Sequence, residues 1–144
     1  MDEALVKKLQ LKPGMRVVVL NAPDGWLDRL TPLPEGATFV EQGPADWVQV
    51  FARNKAEVDA LAPRGIEAVT RGGVLWLCYP KGGAKAGGQR VATDINRDTG
   101  WDVMLTAGWG PVMQVALDEK WSALRWRPEA DVQRKGGTPW SERG

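Results

Sequence analysis

The sequence predicts an α/β domain built on a mostly parallel sheet of about six strands, closed by an antiparallel hairpin. Three observations carry this expectation. The run Arg16-Val17-Val18-Val19-Leu20-Asn21 is apolar on both faces, as a parallel strand must be when helices cover it from both sides. Strand-length apolar runs then alternate with segments of helical period. The last two runs, 112–117 and 122–127, are joined by Asp118-Glu119-Lys120 alone, a link too short for a crossover and therefore antiparallel.

In chain order, residues 2–11 read as a short amphipathic helix with Leu5, Val6 and Leu9 inward, stopped by Pro13-Gly14. The strand 16–21 follows, and Asp24 is positioned to cap a helix over 25–31 that ends near Pro32 and Pro34. Strands are expected over 37–41 and 46–51. Asn54 with Glu57 three residues on makes a capping-box-like helix start. Val58, Leu61, Ile66 and Val69 give that helix its inward face, with Pro63 and Gly65 bending or splitting it and Gly72-Gly73 closing it. The most hydrophobic strand covers 74–79. After a glycine-rich loop, Thr99 and Asp102 box the start of a second long helix, ended by Gly108 and Pro111.

Length and composition narrow the classes of function. The 144 residues suit one domain, here 1–128, followed by a tail over 129–144 of Pro, Gly and charge that is expected to stay solvated. No apolar run approaches the ~20 residues of a membrane span, and Met1-Asp2-Glu3-Ala4 is acidic where a secretory signal is basic. A cytoplasmic location with no membrane contact is the expectation. The chain has no histidine, which removes Ser-His-Asp triads, Cys-His pairs and histidine metal sites. Acid–base chemistry would fall to Asp, Glu, Lys, Tyr79 or the single cysteine, Cys78, whose apolar run makes it a core residue rather than a nucleophile. A net charge of +1 supplies no global field for nucleic acid.

Alternation that ends in an antiparallel hairpin is the closing pattern of class I S-adenosylmethionine-dependent methyltransferases, a Rossmann-like fold that this chain resembles in truncated form. Leu11-Lys12-Pro13-Gly14, Ala45-Asp46-Trp47-Val48-Gln49-Val50-Phe51 and Arg71-Gly72-Gly73-Val74-Leu75-Trp76 extend the resemblance. More closely, Tyr79-Pro80-Lys81, Thr93-Asp94, Arg97-Asp98-x-Gly100-Trp101 and Asp118-Glu119-x-Trp121-Ser122-Ala123-Leu124-Arg125 resemble an uncharacterised bacterial family of small methyltransferase-like proteins. The superfamily resemblance implies the fold and a crevice for S-adenosylmethionine; the smaller family implies no activity.

The chain departs from the superfamily at the first turn. A glycine-rich turn lets backbone amides close on a ligand at a helix start, whereas Asn21-Ala22-Pro23-Asp24-Gly25 has one glycine and a proline without an amide donor. No cofactor is therefore expected to be held. Glu41 lies 20 residues beyond Asn21, where an acidic residue would bind ribose hydroxyls. Only Gln42-Gly43-Pro44-Ala45 separate it from the next strand, and a parallel return of ordinary length needs at least ~10–12 residues. Strand 37–41 is thus either antiparallel to 46–51 or a short edge piece, and Glu41 reads as a surface residue.

Three constellations are candidates for function. Beyond the carboxyl ends of the strands, where open α/β sheets bind ligands, the fold gathers Asn21, Asp24, Phe51, Arg53, Tyr79 and Lys81; these positions also suit ordinary turns. The loop from Lys81 to Arg90 is either a lid over a small anionic ligand or a flexible connector. Asp94, Arg97, Asp98 and Trp101, set against Asp118, Glu119 and Trp121, form either a polar site or a network fixing the hairpin. No catalytic residue and no metal ligand is assigned. The expected function is a non-catalytic binding or regulatory module. An active methyltransferase or other nucleotide-dependent enzyme using the crevice is the alternative, and RNA or polyanion binding through Lys81, Lys85, Arg90 and Arg97 is a third reading.

Overall fold

The strand Arg16–Leu20, β1, has parallel neighbours on both sides. The computed structural model describes residues 2–81, 85–86, 89–90, 95 and 99–131. Around β1 lie β2 (Thr38–Phe39), β3 (Ala45–Phe51), β4 (Val69–Pro80), β7 (Trp109–Ala116) and β8 (Trp121–Pro128). They form one six-stranded sheet in the order β2-β1-β3-β4-β8-β7. The first four are parallel, and β8 and β7 close the sheet as the expected antiparallel hairpin. Two short stretches, β5 (Lys85–Ala86) and β6 (Gln89–Arg90), pair antiparallel with each other in the expected glycine-rich loop. The remaining expectations for that loop, and those for the tail beyond 131, fall outside the described residues.

One face of the sheet is covered by α1 (Glu3–Lys8) and α2 (Trp26–Leu30). Leu5, Val6 and Leu9 point into this layer, with Trp47, Phe51, Trp76 and Trp121 from the sheet. The orphan carbonyl of Leu9 at the end of α1 accepts two buried indole N–H groups, from Trp47 at 2.8 Å and Trp76 at 2.9 Å. These bonds satisfy the helix end and anchor it to β3 and β4. The other face is covered by α3 (Lys55–Ala68) and α4 (Asp102–Thr106), packed on Val48, Val50, Leu75, Leu77 and Trp126.

The two-residue β2 resolves the conflict over the expected strand 37–41. It is a short edge piece, parallel to β1 and paired only with Arg16 and Val17. Val17 also pairs with Trp47 near the start of β3. The chain leaving β2 therefore steps across β1 at one level and need not return along the strand, so five residues suffice.

Other expectations need correction. The helix after Asn54 runs unbroken through Pro63 and Gly65. Pro63 is on its exposed side, and Gly65 lets the helix approach the sheet, since a Cβ there would lie 2.9 Å from Val50 Cγ2. Gly72-Gly73 does not close this helix. It lies inside β4, where Ala45 pairs with Val69 but Trp47 pairs with Val74, and the left-handed Gly72 (φ +81°) takes up the extra length. Val69 accordingly starts β4 and is not on the helix's inward face. Asp24 does not cap α2; Gly25 occupies that position at φ 82° without a side-chain cap. The expected second long helix has only five residues, preceded by Trp101 with no side-chain cap. Thr99 and Asp102 do not box it, because buried Trp101 fixes the chain there by packing instead.

Candidate functional site

At the carboxyl end of β1 the chain turns through Asn21, left-handed at φ 60°, a conformation asparagine tolerates better than other non-glycine residues. Its amide Nδ2 donates to the Phe51 carbonyl at the end of β3 (2.9 Å) and to Glu57 Oε1 (3.3 Å). Glu57 belongs to the first turn of α3, whose start is capped by Asn54 Oδ1 accepting the Glu57 N–H at 2.9 Å. The Glu57 carboxylate also accepts the backbone N–H of Arg53 (2.8 Å) and its guanidinium (Nη2 to Oε2, 2.7 Å). The Arg53 guanidinium is the main influence holding the Glu57 carboxyl below its ordinary range; partial burial opposes it, and the Arg53 and Asn21 N–H groups assist. The carboxyl ends of β1 and β3 are thus bridged by a carboxylate of the chain itself.

Beside this bridge an aromatic stack fills the layer under α2. Trp26 meets Phe51 edge-on at 5.4 Å between ring centroids, and Phe51 meets Trp121 at 5.1 Å. The Trp26 indole N–H donates to buried Gln49 Oε1 at 2.7 Å, and Gln49 Nε2 donates to Cys78 Sγ at 3.4 Å. Burial, with a smaller contribution from the Asp118 charge, raises the Cys78 thiol far above the range of a reactive thiolate, against a lowering by Gln49. Cys78 is a core residue, as expected.

Of the six crevice candidates, Asn21 and Arg53 meet through Glu57, and Phe51 joins them by its carbonyl. Asp24 is exposed beyond the turn. Tyr79 faces the opposite side of the sheet, its hydroxyl accepting from Gln114 Nε2 at 2.7 Å and its ring against Trp101 at 5.5 Å. Lys81 turns to the hairpin, donating from Nζ to the Asp118 carbonyl and from its backbone N–H to Lys120. Glu57, read in the sequence only as a helix-start residue, is the central group. Its signal was Arg53, just before the N-cap Asn54 and four residues from Glu57, a cation within reach of a carboxylate in the first turn.

The third constellation is divided by the sheet. Trp101 packs with Tyr79 and Trp126 on one face, and Trp121 with Phe51 on the other. Asp118 shapes the hairpin turn by accepting from the backbone of Lys120 and Trp121, both at 2.8 Å. It also pairs with Arg29 at 3.3 Å. Asp94, Arg97 and Asp98 lie outside the described residues. Arg29, which the sequence did not single out, links Asp118 to Asp2 (3.5 Å) and lies over the Trp26 ring at 5.2 Å. Glu41 is exposed on the crossover, where it lines a cleft of about 330 Å³ with Val18, Leu20, Arg64 and Glu67. Among the described residues no group of three or more His, Cys, Asp or Glu is placed to hold a metal ion, and no helix is long and apolar enough to cross a membrane.

No family model and no curated protein matches this chain. Solved structures do, at low identity. TrmN from Thermus thermophilus gives a TM-score of 0.58 at 11% identity over 88% of this chain, which spans only 48% of TrmN. A SAM dependent methyltransferase from Aquifex aeolicus gives 0.56 at 13% identity, covering 87% of this chain and 88% of that one. DhpI, in its complex with SAH, gives 0.54 at 16% identity, covering 88% and 83%. The fold is the Rossmann-like α/β fold of these methyltransferases, with six strands in the main sheet.

Proposed function

We propose that this chain is a cytoplasmic, non-catalytic methyltransferase-like protein of the small bacterial kind its motifs resemble, acting as a binding or regulatory module. One observation carries the reading: the Glu57 carboxylate occupies the donors at the carboxyl ends of β1 and β3 that a ligand would otherwise use. Three neighbouring features support it. The first turn contains Pro23, which has no amide to offer, and leads into a helix of five residues. Trp26 and Phe51, which flank the turn, are 3% and 0% exposed, so neither ring is open as a floor for a ligand. β2 pairs only with the start of β1, and Glu41 lines a cleft with Arg64 and Glu67 from the last turns of α3, whereas Asn21 bonds to Glu57 in its first turn. The Glu57 bridge, Pro23 and the closed aromatic layer do not suit S-adenosylmethionine.

A thermal-shift panel of S-adenosylmethionine, its demethylated product, and nicotinamide and adenine nucleotides tests this. A ligand present at 100 times its Kd would add about 2.7 kcal/mol of stability, a rise of several degrees. We expect no such rise with S-adenosylmethionine or its product. A rise with either replaces this reading by that of an active methyltransferase using the crevice.

A further inference from the structure

Strand β8 carries Arg125 and Arg127 two residues apart, and so on one face of the sheet. Arg125 is half-buried. Its Nη1 donates to the neutral side-chain oxygen of Gln10, and its buried Nε–H has no partner among the described residues. Arg29, Arg53 and Lys55 all have carboxylate partners. Among the described residues Arg71, Arg125 and Arg127 have none within ion-pair distance. Burying a guanidinium without a counter-charge is costly. Burial, and then the charge of Arg127, lower the pKa of Arg125.

Arg127 and Arg71 line the same cleft, about 430 Å³ at the amino end of β4, together with Thr70, Gly72, Trp109 and Pro128. That volume is within the ~300–1,000 Å³ usual for small-molecule sites. Among the described residues no carboxylate lines it. Gly72 is left-handed with nothing within 4 Å of its Cβ position, so the backbone of the bulge is open to approach. Trp109, half-buried, supplies aromatic surface to the lining. Guanidinium forks match the oxygens of a phosphate two at a time, and an indole face accepts a planar group.

From these features we propose that the cleft between the β4 bulge and the end of β8 binds a small phosphorylated molecule. Arg71 and Arg127 hold the phosphate and Trp109 packs against its planar or apolar part. A phosphate on Arg127 also supplies the counter-charge that Arg125, one strand pleat away, lacks. The cleft is at the end of the sheet opposite the Glu57 bridge, so this site and the non-catalytic reading stand or fall separately.

The test is calorimetric titration of the full chain at low ionic strength with AMP, inorganic phosphate and adenosine. AMP is expected to bind with a submillimolar Kd, phosphate more weakly, and adenosine at least about tenfold more weakly than AMP. Arg71→Gln and Arg127→Gln should each weaken AMP about tenfold or more, while Arg64→Gln, on the exposed side of α3, leaves it unchanged. Circular dichroism confirms that the variants are folded. Silence from both AMP and phosphate up to about 10 mM overturns the proposal. So does adenosine binding as tightly as AMP, or AMP affinity that is the same in both cleft variants. A phosphate affinity equal to that of AMP overturns the part given to Trp109.

Discussion

Trp26 and Gln49 form a buried hydrogen-bonded pair whose removal separates a core anchor from a ligand-stacking residue. Trp26 is 3% exposed and Gln49 0%, and the indole N–H donates to Gln49 Oε1 at 2.7 Å. Trp26→Phe keeps an aromatic ring beside Phe51 but leaves the Gln49 oxygen unpaired, at a cost of about 1–3 kcal/mol plus some lost packing. Gln49→Leu leaves the indole N–H unpaired at a similar cost, again about 1–3 kcal/mol. Its other bond, to Cys78 Sγ at 3.4 Å, is to a weak acceptor and adds little. In the double variant both polar atoms are gone and only packing losses remain. The single effects should therefore exceed the double effect, with a coupling of at least about 1 kcal/mol. For a chain of this length 1 kcal/mol corresponds to roughly 3–5 °C in Tm. Urea titration followed by far-UV circular dichroism suits the measurement, since the eight tryptophans would blur a fluorescence signal. Additive single effects, or a Trp26→Phe variant as stable as wild type, would refute the reasoning that Trp26 is a core anchor.

The Glu57 bridge predicts a pH dependence. Because Arg53 holds the Glu57 carboxyl below its ordinary value of 4.5, the stabilisation it gives is present above that value and lost as pH falls through the lowered one. Urea midpoints should therefore drop below about pH 5, and Glu57→Gln should flatten that drop; an unchanged slope would count against the bridge. Cys78, buried and with its thiol pKa raised, should react with iodoacetamide on the order of a thousandfold more slowly in native than in denatured protein. Rapid native labelling would contradict its place in the core. Trp47→Phe and Trp76→Phe each leave Leu9 with one indole donor, whereas the double variant orphans a buried carbonyl. Its destabilisation, read from Tm, should exceed the sum of the single effects by about 1 kcal/mol or more, and simple additivity would show that the shared acceptor is unimportant.

Much of the fold was legible because apolar runs and turn lengths are local signals. The all-apolar Val17-Val18-Val19-Leu20 and the three-residue link Asp118-Glu119-Lys120 set the centre and the closing hairpin of the sheet. The reading failed where a tertiary contact overrode a local rule. Gly72-Gly73 looked like a helix stop, but the helix had already ended at Ala68 and the pair formed a bulge in β4. Pro63 looked like a break, yet the face it occupies is exposed and the helix continues. The crevice candidates share a place at strand ends, which says nothing of side-chain direction. Phe51 and Tyr79 end neighbouring parallel strands, yet Phe51 packs in the α1–α2 layer and Tyr79 in the α3–α4 layer. Glu57 was visible as a capping residue; its bonds to Asn21 and to the Arg53 backbone depend on β1 and β3 lying side by side, a long-range fact that spacing does not encode.

Calorimetric titration of the full chain with S-adenosylmethionine tests most directly the claim that Glu57 and the aromatic stack have taken the place of the cofactor. The account predicts a Kd weaker than about 1 mM, roughly −4 kcal/mol, with no saturable heat at lower concentrations. A micromolar Kd would contradict it, because the donors at Asn21 and Arg53 would then have to exchange the Glu57 carboxylate for the ligand.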